Sequence, residues 1–199
     1  KSPATCYTSL STAYERYTGV DPIKVQFNYA SISSILATLT TDVRVRSCVF
    51  FTMYLNGTLD NQFIGYNNNL AGVPAGGYLY ENINYGGLKT YFNGTYFCMD
   101  DGSGNVRPYM SFDNVENFMS FMVDFYKNKV DVGNATWNTQ TSATMTAIVS
   151  AYWPLARFGD STQDNKNYTD WVNNNEKLLD SLKIKADETL AIMKTNNLL

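Results

Sequence analysis

The chain has 199 residues, with 15 Lys and Arg against 18 Asp and Glu for a net charge of −3, and it contains no histidine. That zero excludes a Ser-His-Asp or Cys-His nucleophile, an imidazole base and metal sites of the HExxH kind. Of the acids, 13 are Asp and 5 are Glu (Glu15, Glu81, Glu116, Glu176 and Glu188), so proton transfer would fall to a short set of carboxylates, Tyr or Lys.

At 22.4 kDa a single domain over residues 1–199 is expected, long enough to bury a core. Hydrophobic content of 44% and aromatic content of 15% are those of a globular chain. An isoelectric point near 4.9 without a Lys/Arg cluster argues against nucleic acid or an anionic membrane as partner. No apolar run approaches the roughly 20 residues of a membrane span. The chain opens at Lys1 rather than Met, so an upstream segment is expected to have been removed, and no signal peptide remains in view. Cys6, Cys48 and Cys98 are widely spaced and form no CxxC, so neither a metal site nor a cofactor is expected. One disulfide with one free thiol, and three reduced thiols, both remain open. Sequons at Asn56, Asn93, Asn134 and Asn167 are glycan acceptors in a secreted eukaryotic protein, or accidents of an Asn-rich composition.

In chain order, residues 7–17 predict a helix with Leu10 between Tyr7 and Tyr14 on one face. Residues 31–40 predict another through Ile32, Ile35, Leu36 and Leu39, after serines suited to capping. Asp42 is placed to cap a third helix running to about Leu55 and closed by Gly57, although the alternation of Val43 and Val45 also suits a strand. From Asn61 to Asp101 Gly and Asn are dense. Two aromatic stretches, residues 77–83 and 88–98, predict short strands, with an Asn93-Gly94 hairpin signal. Helix returns at 113–128, with Asp113 and Glu116 as a capping box and Val115, Phe118, Met119, Met122, Phe125 and Tyr126 as its apolar face. Helices are also expected at 142–153, stopped by Pro154, and at 173–195. Helices, a sheet-rich insert over about 61–107, then helices again give an α+β fold, mostly helical with a small antiparallel β-lobe.

Tyr54–Val73, YLNGTLDNQFIGYNNNLAGV, carries the most information. A helix ends at Leu55-Asn56-Gly57, a loop follows, and an Asn-rich turn runs from Asn67 to Val73. Downstream, Val106-Arg107-Pro108-Tyr109-Met110-Ser111-Phe112-Asp113 leads into the helix at 113–128. This arrangement, over roughly residues 30–130, resembles the lysozyme-like, glucosaminidase-type peptidoglycan hydrolases. In that superfamily a catalytic helix ends in an E-S-G-type sequence, an N-N-L-F-G-I-K turn follows about a dozen residues later, and a β-hairpin lobe precedes an aromatic strand and helix. Asn68-Asn69-Leu70-Ala71-Gly72-Val73 matches the turn.

The departure from that pattern is specific. Aligning Asn68 with the first Asn of the family's turn, and Gly57 with the Gly of E-S-G, puts Leu55 at the position of the catalytic acid. Leucine cannot protonate a glycosidic oxygen, a step that normally needs a carboxylic acid of raised pKa. Glu81 is the first substitute: the neighbouring Tyr78, Tyr80 and Tyr85 would raise its pKa by desolvation, unless it is a solvent-facing strand residue. Asp60 is the second, unless it is a turn residue. Asp100 and Asp101 with Ser103 and Asn105 lack the spacing of a calcium loop and are expected to form a surface turn. Tyr66, Tyr78, Tyr80 and Tyr109 are candidate sugar-stacking faces, or else partners in cross-strand packing. Asn67, Asn68 and Asn69 would bond N-acetyl or hydroxyl groups, or satisfy their own turn. The Gly72–Gly77 segment has neither a P-loop nor a GxGxxG spacing.

Three functions follow from the resemblance and its gap. The first is a peptidoglycan-binding, lysozyme-like domain with impaired catalysis, extracellular or virion-associated as in phage tails. The second is a structural or adhesion module of a virion or extracellular assembly, its aromatics packing on a partner chain. The third is an active glycoside hydrolase using Glu81.

Overall fold

The computed structural model describes residues 22–73, 95–100, 106–128, 145–146, 149 and 176–199. The predicted helix at 7–17, the strand at 77–83 and most of the helix at 142–153 lie outside them. The described part is α+β, with four named helices and two small antiparallel sheets. Strand β1 (Lys24–Asn28) leads directly into α1 (Tyr29–Leu39) and α2 (Val43–Asn56). Strands β2 (Thr58–Leu59) and β3 (Gln62–Tyr66) follow, then β4 (Tyr96–Asp100), β5 (Val106–Met110), α3 (Val115–Asn128) and α4 (Glu176–Thr195).

Helix α2 forms the centre. Val45, Ser47, Cys48, Val49, Phe50, Phe51, Thr52 and Met53 are all buried, a run too continuous for a one-sided surface helix and suited to one covered all round. Its two buried hydroxyls bond back one turn, Ser47 to the Val43 carbonyl and Thr52 to that of Cys48, each at 2.7 Å, so their burial leaves no orphaned donor. Helices α3 and α4 pack against α2. From α3, Phe118, Met119, Met122, Phe125 and Tyr126 enter the core, as the spacing predicts. From α4, Leu182, Ala186 and Met193 do so.

The helix ends follow local chemistry. Asn28 caps α1, its Oδ1 accepting from the Ser31 N–H at 2.7 Å, so the helix starts ahead of the predicted serines. Asp42 caps α2 as expected, accepting from the Arg44 N–H at 2.9 Å, and the helix wins over the strand that Val43 and Val45 also allowed. Arg46 donates from Nε to the Thr40 carbonyl at 2.7 Å and from Nη2 to that of Ala37 at 3.2 Å, satisfying the exposed end of α1. At α3 the cap is Asn114, which accepts from the Asn117 N–H at 2.8 Å, one residue after the predicted Asp113. Helix α4 closes through Asn197 at φ 57°, with Leu198 N–H bonding to Met193 O and Asn197 N–H to Lys194 O. This is a Schellman ending with Asn in the left-handed position.

The sheets differ in place from the predicted lobe. Strand β3 is flanked by β1 and β2, with Phe27 opposite Phe63 and Leu59 opposite Gln62. Part of this sheet therefore precedes α1. The second sheet pairs β4 with β5, placing Phe97 opposite Tyr109.

Candidate functional site

The segment from the end of α2 to Val73 folds as two tight turns around β3. Asp60 and Asn61 (φ 52° and 61°) join β2 to β3, and Asn67 and Asn68 (φ 48° and 60°) reverse the chain after it. Two successive left-handed residues make the type I′ turn, whose twist matches that of the flanking strands, and Asn and Asp tolerate that conformation best among residues with a side chain. Asn69 N–H bonds to Tyr66 O at 2.9 Å across the second turn. The returning chain passes so close to β3 that a Cβ on Gly65 would lie 2.4 Å from the Asn69 carbonyl oxygen. Gly72, at φ 59°, makes the next bend.

The three asparagines are structural cross-links. Asn67 Oδ1 accepts from the Ile23 N–H at 2.9 Å and its Nδ2 donates to Ser111 Oγ at 3.1 Å. Asn68 Nδ2 donates to the Phe112 carbonyl at 2.9 Å. Asn69, only 4% exposed, donates to the carbonyls of Val73 and Met110 and accepts from the Val73 N–H at 3.0 Å. Backbone bonds from Met110 N–H to Val73 O and from Phe112 N–H to Asn67 O complete the seam. The turn and the Met110–Phe112 strap are thus one unit, joined by bonds that the sequence motifs did not reveal.

The other candidates fall as follows. Leu55, in the last turn of α2, is half-buried and packed against the core. Asp60 is exposed at the β2–β3 turn. Tyr66 is half-buried beside the Asn turn. Tyr109 is 8% exposed and stacked on Phe97, with ring centroids 5.6 Å apart. Glu81, Tyr78 and Tyr80 lie outside the described residues.

One pairing escaped the sequence reading. Tyr54, beside Leu55, donates its hydroxyl proton to the Glu188 carboxylate of α4. Burial, and then the carboxylate itself, hold the Tyr54 hydroxyl well above the usual tyrosine range, so it remains a donor. Nothing in the sequence joins two residues this far apart.

Cys48 is a free thiol in the core, pushed far above the ordinary thiol range by burial, which makes it unreactive. Cys98 is buried and disulfide-bonded. Asn56, the sequon asparagine at the end of α2, donates its amide to the Thr52 carbonyl at 2.8 Å. Among the described residues, no cluster of acids and cysteines is arranged to hold a metal ion, and no helix is long and apolar enough to cross a membrane.

No family model, no curated protein and no solved structure matches the chain.

Proposed function

We propose that the chain is a lysozyme-like domain that binds cell-wall glycan, in an extracellular or virion-associated setting, and does not cleave it. The observation that carries this reading is Leu55: a leucine packed half-buried against the core at the end of the helix where the resembling hydrolases keep their acid. The Asn67–Asn69 turn and the Met110–Phe112 strap are joined by side-chain bonds, and Gly57 after the helix end accepts from the Ile64 N–H of β3, a framework that supports the reading although it lacks the group that would make it catalytic. The cysteine chemistry supports the setting, since the Cys98 disulfide is a bond that persists in oxidising compartments.

Zymography on peptidoglycan, run beside a binding assay, tests this. The expected outcome is binding with no clearing by the intact chain. Clearing that disappears in Glu81→Gln would instead establish an active hydrolase with Glu81 as its acid. Absence of both binding and clearing would leave the structural or adhesion module as the better reading.

A further inference from the structure

A groove of about 430 Å³ opens between the start of α1, the β2–β3 turn and the last turn of α4, lined by Asn28, Tyr29, Asn61, Ile192, Thr195 and Asn196 together with two alanines. This lies within the range of small-ligand sites, roughly 300–1,000 Å³. It includes neither Leu55 nor the Asn67–Asn69 turn, so it is separate from the framework the resemblance points to. We propose that this groove binds a neutral saccharide. The proposal rests on the glycan-binding reading for its ligand class and adds to it a location.

The lining has no charged side chain, so it offers nothing to select an ion. Its polar groups are amides and a hydroxyl, which both donate and accept. Their internal bonds leave complementary capacity. Asn28 uses its Oδ1 on the Ser31 N–H, so its NH₂ remains as a donor. Asn196 uses its Nδ2 on the Ile192 carbonyl at 2.8 Å, so its oxygen remains as an acceptor. Thr195 donates to the Ala191 carbonyl at 3.1 Å and keeps lone pairs to accept. Asn61 is held in a left-handed turn conformation, its carbonyl fixed by the Tyr29 N–H at 3.3 Å.

The apolar side is equally fixed. The Tyr29 ring meets Phe63 edge-on at 5.0 Å and Phe50 at 6.0 Å, and it is only half-buried. Ile192, Ala30 and Ala191 extend this surface. A ligand with one C–H-rich face and a rim of hydroxyl or amide groups matches such a lining, and a pyranose ring is built that way. Because aromatic contacts and turn bonds fix the lining before binding, little ordering entropy opposes association.

The test uses the full chain and a soluble N-acetylglucosamine oligosaccharide, followed by NMR of the asparagine side-chain amides, with pelleting on insoluble peptidoglycan alongside. Ala191→Arg fills the groove from an exposed helix position, and Asn61→Gly removes an amide while suiting the left-handed backbone. Ser34→Arg, on the exposed face of α1 outside the groove, is the control. Shifts at the Asn28, Asn61 and Asn196 amides, with affinity weakened about tenfold or more in both groove variants and retained in the control, are expected. Saccharide binding that Ala191→Arg leaves unchanged would overturn the groove while sparing the glycan reading. Pelleting without soluble saccharide binding would do the same. Loss of pelleting with groove binding intact would overturn only the cell-wall reading, and no binding of either kind would overturn both.

Discussion

The Tyr54 hydroxyl on α2 donates to the Glu188 carboxylate on α4, linking the central helix to the last one at the position next to Leu55. Glu188 stands three and four residues before Ala191 and Ile192 on α4, but its carboxylate is engaged by Tyr54 and it is not part of the groove lining.

Tyr54→Phe should lower stability by about 1 kcal/mol, and combining it with Glu188→Gln should cost less than the two changes summed. The effect carries a pH signature. The folded state binds the Tyr54 proton more tightly than the unfolded chain, because burial and Glu188 raise the folded pKa. The contribution is complete below the ordinary tyrosine pKa and is lost as pH rises through the higher folded value. Denaturant unfolding of wild type and Tyr54→Phe should therefore converge at alkaline pH; a constant gap would mean that the hydrogen bond is absent.

Asn69→Ala should destabilise the chain by about 2–3 kcal/mol, since it leaves the Val73 N–H and the Met110 carbonyl without partners in a buried seam, while the Val73 carbonyl keeps only the Met110 N–H. Equilibrium unfolding measures it. An unchanged midpoint would show that the side chain faces outward, where it could meet a ligand instead.

Gly65→Ala should cost about 2 kcal/mol, because the new methyl would sit 2.4 Å from the Asn69 carbonyl oxygen and force the turn away from β3. Weakened protection of the Asn69 amide in hydrogen exchange would locate the damage. Full protection at wild-type stability would refute the close approach.

Asp42→Ala should cost about 1 kcal/mol through loss of the α2 cap, whereas Asp42→Asn should retain most of it. Hydrogen bonding from the Arg44 side chain, only partly opposed by desolvation, holds the Asp42 carboxyl below its usual value. Its contribution is complete above the ordinary aspartate pKa and is lost as pH falls through the lower folded value. Acid unfolding of Asp42→Asn should show a shallower pH dependence than wild type; parallel curves would remove the pair from the acid response.

The helices were legible because their signals are local. Asp42 and Gly57 bracket α2, and the 3.6-residue spacing of Val115, Phe118, Met119 and Met122 marks the inner face of α3. The β1–β3–β2 sheet was not. Five-residue strands such as Lys24–Asn28 and Gln62–Tyr66 give too short an alternation, and the Asp60-Asn61 turn lacks the glycine that usually announces a hairpin. The Asn67–Asn69 turn was visible as a turn, while its partners in the Met110–Phe112 strap lie more than forty residues away and leave no mark on the sequence. The groove is of the same kind, because it brings Asn28 and Asn61 beside Asn196 through tertiary packing.

Glycan binding without cleavage is tested most directly by co-sedimentation of the full chain with purified peptidoglycan, with cellulose as the comparison polymer. The chain should pellet with peptidoglycan in a saturable way and release no soluble fragments from it. A chain that stays in the supernatant with both polymers, or one that liberates fragments as it binds, would contradict the proposal.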